Sequence, residues 1–311
     1  MRAAAIDEFG PADRLTVRTV PVPVVGHGEV LVRVEAAGVQ LTDAAIRSGW
    51  TPPGATIEFP QILGNEFAGT IVQVGNNVRG LHPGDDVVGF RMLDCYAEYV
   101  SVSAQQVVAK PERVDWLSAG ALSASGQTAH TALERLDAHP GETVLIHGAA
   151  GGVGTIAVQL AHRRGLRVVG TGSAQNQAYI HSLGATPVQY GDGEVERLRQ
   201  AAPQGIDLAV DAAGHGNVRK AAELVDVRQR IGTIVEPALA KDLGCQWITS
   251  DRSDKRLNEL LDLCARGDLH VTIRATYPLE DAAAAHRQVE TGHGRGKVAF
   301  TIGNAAAHAS V

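Results

Sequence analysis

The run Thr143-Val144-Leu145-Ile146-His147-Gly148-Ala149-Ala150-Gly151-Gly152-Val153-Gly154 constrains the fold more than any other stretch of the chain. A β-branched apolar segment enters a glycine cluster, and a helical pattern follows in which Ile156, Ala157, Leu160 and Ala161 share one face. Strand, tight turn and helix N-terminus together make a geometry that holds a pyrophosphate. The first N–H groups of the helix are free, and its dipole adds roughly half a positive charge at that end. Gly151 lets backbone N–H groups approach the phosphates, and Gly154 lets the helix lie close to the strand. Ala149 stands where G-x-G-x-x-G has its first glycine, so the motif here is A-x-G-x-x-G. The helical pattern ends at Gly165 and 167–171 reads as the next strand, completing a βαβ unit of the length that dinucleotide binding uses.

At 311 residues there is room for two domains with separate cores. Up to about residue 115 the chain alternates at period two between Gly and Pro turns, as in Val30, Val32 and Val34 and in 69–75, which predicts β structure. From Leu117 helices alternate with short apolar strands at 143–147, 167–171, 187–190, 206–211 and 230–235, the pattern of a parallel sheet covered on both faces. The loop after the fourth strand, reaching Ala213 and Gly214, is expected to line a cofactor crevice. A helix at 254–265, a strand at 271–275, a helix at 281–290 and a strand at 297–302 are too few to stand alone and return to the first domain. An Ala-rich tail over 304–311 is expected to fray. The reading is an α/β protein: a β-barrel-type domain over 1–117 and 250–311, discontinuous in sequence, and a doubly wound parallel sheet over 118–249. A net charge of −6 and the absence of a basic patch argue against a nucleic-acid partner. The start of the chain is broken by Asp7 and Glu8, and no apolar run is long enough for a membrane span. Cys95, Cys245 and Cys264 are far apart, which fits a reducing, cytoplasmic setting.

Several segments, in order along nearly the whole chain, carry a family resemblance: 28–34 with Ala36-Ala37-Gly38-Val39, Ile62-Leu63-Gly64-Asn65-Glu66-Phe67-Ala68-Gly69, Pro83-Gly84-Asp85, 147–154, Ser182-Leu183-Gly184-Ala185 and 292–298. With them the chain resembles the medium-chain dehydrogenase/reductase superfamily, in its zinc-independent, zeta-crystallin-like quinone oxidoreductase branch. The resemblance implies a GroES-like β-barrel domain and a Rossmann domain, with the active site in the cleft between them. It also implies a homodimer paired through the Rossmann sheet edge, near 245–249. Candidate cofactor contacts are Thr128, Ala150, Gly151, Gly152, Val153, Ser173, Tyr190 and Ala213.

Zinc-dependent members of the superfamily place a Cys after Ala-Gly-Val and a His in Gly-His-Glu. Those positions are Gln40 and Asn65 here, and amides are not zinc ligands. The four-cysteine lobe is missing as well, so no zinc is expected. Without a Lewis acid the compatible task is reduction of an electrophilic acceptor, a quinone or an enone, by hydride transfer. Gln40, Asn65 and Asp43 are the candidate catalytic residues: the two amides would donate N–H to a developing oxyanion, and Asp43 would orient Gln40 or hold the nicotinamide end. The plainer alternatives are that the amides satisfy buried backbone and that Asp43 caps a helix at 44–47. Gln40 departs from the Asn usual in this branch, and Ala45 from a common Tyr. Trp50 and Tyr96 are candidate substrate-lining residues.

Ser173, 22 residues past Gly151, stands where an Asp or Glu would select NAD. It can donate to a 2′-phosphate, and Tyr190 falls where the family often has a tyrosine near the adenosine phosphate. NADPH is therefore expected over NADH, although the Lys usual after the Ser is replaced by neutral Gln175, Asn176 and Gln177. Two alternatives stay open: a stand-alone enoyl reductase of a polyketide or other biosynthetic pathway, and a non-catalytic nucleotide-binding module.

Overall fold

The computed structural model describes residues 1–303, so the Ala-rich tail lies outside the described residues. The chain divides into two compact units. One comprises Met1–Ala124, Arg252–His293 and the chain from Lys297; the other comprises Ser125–Asp251 with Gly294–Gly296.

The first unit is organised by one long strand, Glu29–Val39. It pairs antiparallel with Glu66–Val74 through two register shifts, between Leu31 and Val32 and between Val34 and Ala36. Such irregularities bend a strand and increase its twist. Along its other edge the strand changes partner: residues from Glu29 to Arg33 take Tyr99–Ser103, while those from Ala36 to Val39 take the late strand Lys297–Thr301. A sheet position filled from nearly 300 residues along the chain is why this unit is discontinuous. Asp86–Phe90, Val107–Ala109 and Ile273–Pro278 complete a seven-stranded sheet, and Thr16–Thr19, Arg2–Ile6 and Gln61–Ile62 form a smaller one. The core gathers Val30, Val32, Val34, Phe67, Ile71, Val100, Val298 and Phe300.

In the second unit six parallel strands lie in the order Thr186–Gln189, Arg167–Gly172, Thr143–His147, Leu208–Asp211, Ile231–Thr233 and Gln246–Trp247. Numbered along the chain that is 3-2-1-4-5-6, the doubly wound order whose reversal point beside the first strand is where ligands bind. Every residue of Thr143–His147 is buried, as a central strand covered on both faces requires. Leu145 packs with Val169, Val188, Leu198, Ala209, Val218 and Ile231. The edge strand Gln246–Trp247 leaves Trp247 exposed. Among the described residues no helix is long and apolar enough to cross a membrane.

Leu145→Ala removes three carbons from a site with no exposed surface. The loss of stability should be about 2–5 kcal/mol, read as a fall in the urea midpoint of the second unit's unfolding.

Candidate active site

In the second unit Gly148 turns the chain out of the central strand with φ of +75°, a conformation that a Cβ would strain. Helix Gly152–Arg163 starts immediately afterwards, with Gly151 at its N-cap in an extended conformation. The two later motif glycines have different reasons to be glycine. A Cβ on Gly154 would overlap the Gly148 carbonyl oxygen and lie 2.8 Å from Ala149 Cα, so helix and turn could not close on each other. A Cβ on Gly151 would meet only that oxygen, at 3.3 Å, so the space above Gly151 is free for an incoming group. The N–H groups of Gly152 and Val153 fall in the first helical turn, where no intrahelical acceptor exists. The turn thus fits a dinucleotide pyrophosphate. Ala149 replaces the first glycine without clash because Gly170 on the neighbouring strand has no Cβ; one there would lie 2.8 Å from the Ala149 methyl.

The other cofactor candidates are placed in different ways. Ala150 is buried, and its carbonyl accepts from Gly296 N (2.8 Å) and Thr155 Oγ1 (3.2 Å). Ala213 follows the fourth strand, and its N–H donates to Asp211 Oδ1 (3.0 Å), as does that of Gly214 (2.9 Å). Ser173 follows the second strand, and Tyr190 N donates to Gly172 O (3.2 Å) while its side chain is exposed. Thr128 lies half-buried on helix Ser123–Arg135. Beneath the turn is an ionic cluster that the residue pattern did not reveal. His147 Nδ1 is 3.4 Å from Glu194 Oε1, and Lys220 Nζ donates to Glu194 Oε2 (2.6 Å). Burial pushes the Glu194 carboxyl up, but the bonds from His147 and Lys220 outweigh it and hold the group at about 2.

The first unit holds a buried polar network. Gln40 is the N-cap of helix Leu41–Arg47: its side chain accepts from Asp43 N while Asp43 Oδ2 accepts from Gln40 N (2.9 Å), a reciprocal capping box. Asp43 therefore caps from inside the helix, which begins three residues earlier than the 44–47 expected. Its carboxylate also accepts from Asn65 Nδ2 (3.0 Å) and from the Tyr96 hydroxyl (2.5 Å). Burial raises the Asp43 carboxyl to about 6, against the hydrogen bonds from Tyr96 and Gln40 that pull it down. Burial and the adjacent Asp43 raise the Tyr96 phenol well above its ordinary range.

These contacts bear on two expectations. One N–H of each amide is already committed to a carboxylate, Asn65 to Asp43 and Gln40 Nε2 to Glu66. Asn65 also has a buried Oδ1 without a protein partner, so it offers an acceptor beside its second N–H. Tyr96, a candidate lining residue, presents no exposed surface. It is fully buried, edge-on to Phe300 (4.7 Å) and His286 (5.9 Å). Trp50 is 44% exposed, in the loop after Leu41–Arg47.

Further residues of this network lay outside the candidates. Glu66, with no exposed surface, accepts from Lys297 Nζ (3.0 Å), from Gln40 Nε2 and from Ala124 N (2.5 Å) near the start of helix Ser123–Arg135. Gly38 provides the room, since a Cβ there would overlap Glu66 Oε1. Arg252 Nη1 donates to the backbone oxygens of Asn65 (2.8 Å) and Arg91 (3.4 Å), and its guanidinium lies 5.6 Å from the Phe90 ring centre. Behind helix Leu41–Arg47, fully buried Arg47 donates to Gly10 O (3.0 Å) and pairs with Glu290, fastening the helix that carries Asp43. Among the described residues no group of three or more His, Cys, Asp or Glu side chains is placed to hold a metal ion.

Known proteins are similar to this chain in sequence and fold. Residues 26–112 match the family described as "Alcohol dehydrogenase GroES-like domain", and residues 183–299 match "Zinc-binding dehydrogenase". The chain is 30% identical to quinone-oxidoreductase QR1 of Triphysaria versicolor, over 96% of this chain and 97% of that protein. The chain belongs to the medium-chain dehydrogenase/reductase superfamily. Its relatives in the superfamily include the NADPH-dependent alkenal/one oxidoreductase of Arabidopsis thaliana, 28% identical over 96% of this chain and 78% of that one. Among solved structures, the quinone oxidoreductase of Coxiella burnetii superposes with a TM-score of 0.87 at 28% identity, covering 97% of this chain and 99% of the other. That of Escherichia coli complexed with NADPH gives 0.84 at 26%, covering 97% and 100%. The first unit is thus a GroES-like domain, the second a Rossmann sheet, and the protein an oxidoreductase of this superfamily.

Two outcomes follow from the buried network. Because the folded Asp43 carboxyl binds its proton more tightly than its ordinary value of 3.8 allows, its contribution to stability falls as pH rises from about 4 to about 6. A carboxyl-carbon NMR titration should give a midpoint near 6, and Tyr96→Phe, which removes a bond favouring the ionised form, should move it higher. Lys297→Met strands the Glu66 carboxylate without its counter-ion and should cost about 3–5 kcal/mol in thermal or urea unfolding. Adding Glu66→Gln to Lys297→Met should recover part of that loss.

Proposed function

We propose that the protein is an NADPH-dependent reductase of quinones or α,β-unsaturated carbonyls that works without zinc. The observation that carries this reading is the pairing of an intact phosphate turn with a GroES-like domain in which amides occupy both expected zinc-ligand positions. One N–H of each amide is bound to a carboxylate, Gln40 to Glu66 and Asn65 to Asp43. When bound, NADPH supplies the hydride that reduces the acceptor. Gly151, Gly152 and Val153 present backbone N–H groups to the pyrophosphate, with Ala150 and Ala213 shaping the turn and the neighbouring loop. Ser173 and Tyr190 flank the adenosine end, and Thr128 contributes from its helix.

Asn65 is held by Asp43 with its carbonyl oxygen unpartnered, so that oxygen accepts an N–H from a carboxamide, and its second N–H donates to the oxygen of the acceptor. Gln40, fixed at its cap, narrows the reactive end of the site. Trp50 is the exposed aromatic nearest in sequence to Gln40 and Asp43 and contacts the acceptor. The relatives named for quinones and for alkenals or alkenones support this acceptor class, and the E. coli quinone oxidoreductase structure with NADPH supports the cofactor. Pairing of two copies through the edge strand Gln246–Trp247 belongs to the same reading.

The test is a panel of quinones, 2-alkenals and enoyl thioesters with NADPH or NADH at equal concentration, followed by loss of reduced-cofactor absorbance. Turnover of quinones or enones, several-fold faster with NADPH, is expected. Equal or faster turnover with NADH removes the cofactor preference. NADPH binding without turnover of any acceptor makes the chain a binding module, and stoichiometric zinc in the purified protein overturns the metal-free chemistry.

A further inference from the structure

The loop after the second Rossmann strand has no cation of its own: Ser173, Gln175, Asn176 and Gln177 are all neutral. The fold brings one there from far along the chain. Arg295 Nε donates to Asn176 Oδ1 (3.0 Å), Nη2 donates to Gln175 O (2.9 Å), and the guanidinium lies 5.2 Å from the centre of the Tyr179 ring. We propose that Arg295 recognises the 2′-phosphate of NADPH, standing in for the lysine that the loop lacks; the inference rests on the NADPH reading above.

Three observations support it. First, the position of Arg295 is set by backbone. The adjacent Gly296 donates to Ala150 O (2.8 Å) and bridges Gly151 in parallel, so the residue beside Arg295 is pinned to the phosphate turn itself. Second, the charge has no counter-ion among the described residues. Among the described residues Arg295 makes no ion pair; its contacts are an amide oxygen, a peptide oxygen and a ring, and Nη1 takes part in none of these hydrogen bonds. A clasp for this loop could be neutral, whereas an unpaired guanidinium is suited to a phosphate through several N–H donors in one plane. Third, the supports are themselves held. The Tyr179 hydroxyl lies 3.2 Å from Thr155 Oγ1 on the phosphate-binding helix, and Ser173 O accepts from Asn176 N (2.9 Å) and Gln177 Nε2 (3.0 Å). Phosphate turn, loop and cation therefore form one assembly at the end of the second strand, where dinucleotide-binding folds of this order recognise the ribose 2′ position.

Binding of 2′,5′-ADP and 5′-AMP, measured by calorimetry on the full chain, isolates the 2′-phosphate from any acceptor chemistry. The wild type should bind 2′,5′-ADP more tightly than 5′-AMP. Arg295→Met, which keeps an apolar stem against Tyr179, should weaken 2′,5′-ADP by about 10- to 100-fold, the range of a charged hydrogen bond, and leave 5′-AMP unchanged. Arg295→Lys should retain part of the preference, as a point charge without the fork. An equal loss for both ligands in Arg295→Met would mark Arg295 as a loop clasp and overturn the proposal, as would no loss for either. A wild type that binds the two equally defeats the NADPH reading itself, an outcome visible before any variant is made.

Discussion

The Glu66 carboxylate is the constraint on which the GroES-like unit is arranged. A carboxylate with no exposed surface costs several kcal/mol to bury and is tolerated only when its oxygens are well bonded. The three donors come from separate parts of the chain: Gln40 at a helix N-cap, Ala124 near the start of another helix, and Lys297 on the late strand. Meeting that requirement fixes the capping box at Gln40 and Asp43, and Asp43 in turn orients Asn65 and Tyr96. The site is held by polar contacts inside an apolar unit, where a low dielectric makes each bond strong and each missing one costly.

The Rossmann unit solves a different problem with backbone. The turn from Gly148 to Gly154 is shaped by the Gly148 carbonyl, which excludes a Cβ at Gly154, and by the missing side chain of Gly170, which admits the Ala149 methyl. Charged groups lie around this turn rather than in it. Glu194 and Lys220 pair beside His147 at the end of the central strand, and Arg295 lies against the loop of the next one. On the proposed NADPH reading, the close, neutral approach at the pyrophosphate and the selective charge further out come from different segments.

Much of this was legible in the residue order. The βαβ unit around the glycine turn, the helix at 254–265 and the amide replacements at Gln40 and Asn65 are local patterns, set by period, turn chemistry and side-chain type. Hydrogen-bond direction at the amides was not. Asn65 can donate or accept, and its choice follows from Asp43, which is 22 residues away in sequence and 3.0 Å away in space. Tyr96 reads as an aromatic in a loop until Phe300, more than 200 residues on, closes over its ring.

The sequence by itself determined the two-part α/β organisation, the strand, glycine turn and helix, and the chemistry available at each motif position, because these depend on neighbours within one turn or one strand. Tertiary structure alone decided which polar groups meet. Lys297 reaches Glu66 because a late strand completes an early sheet, and Arg295 reaches the loop at Gln175 because Gly296 pairs with the phosphate turn. Both cations lie in the short segment after Gly294, where nothing local marks either as part of a site. The physical reason is that a buried or oriented charge takes its role from its partners, and those partners come from distant parts of the chain.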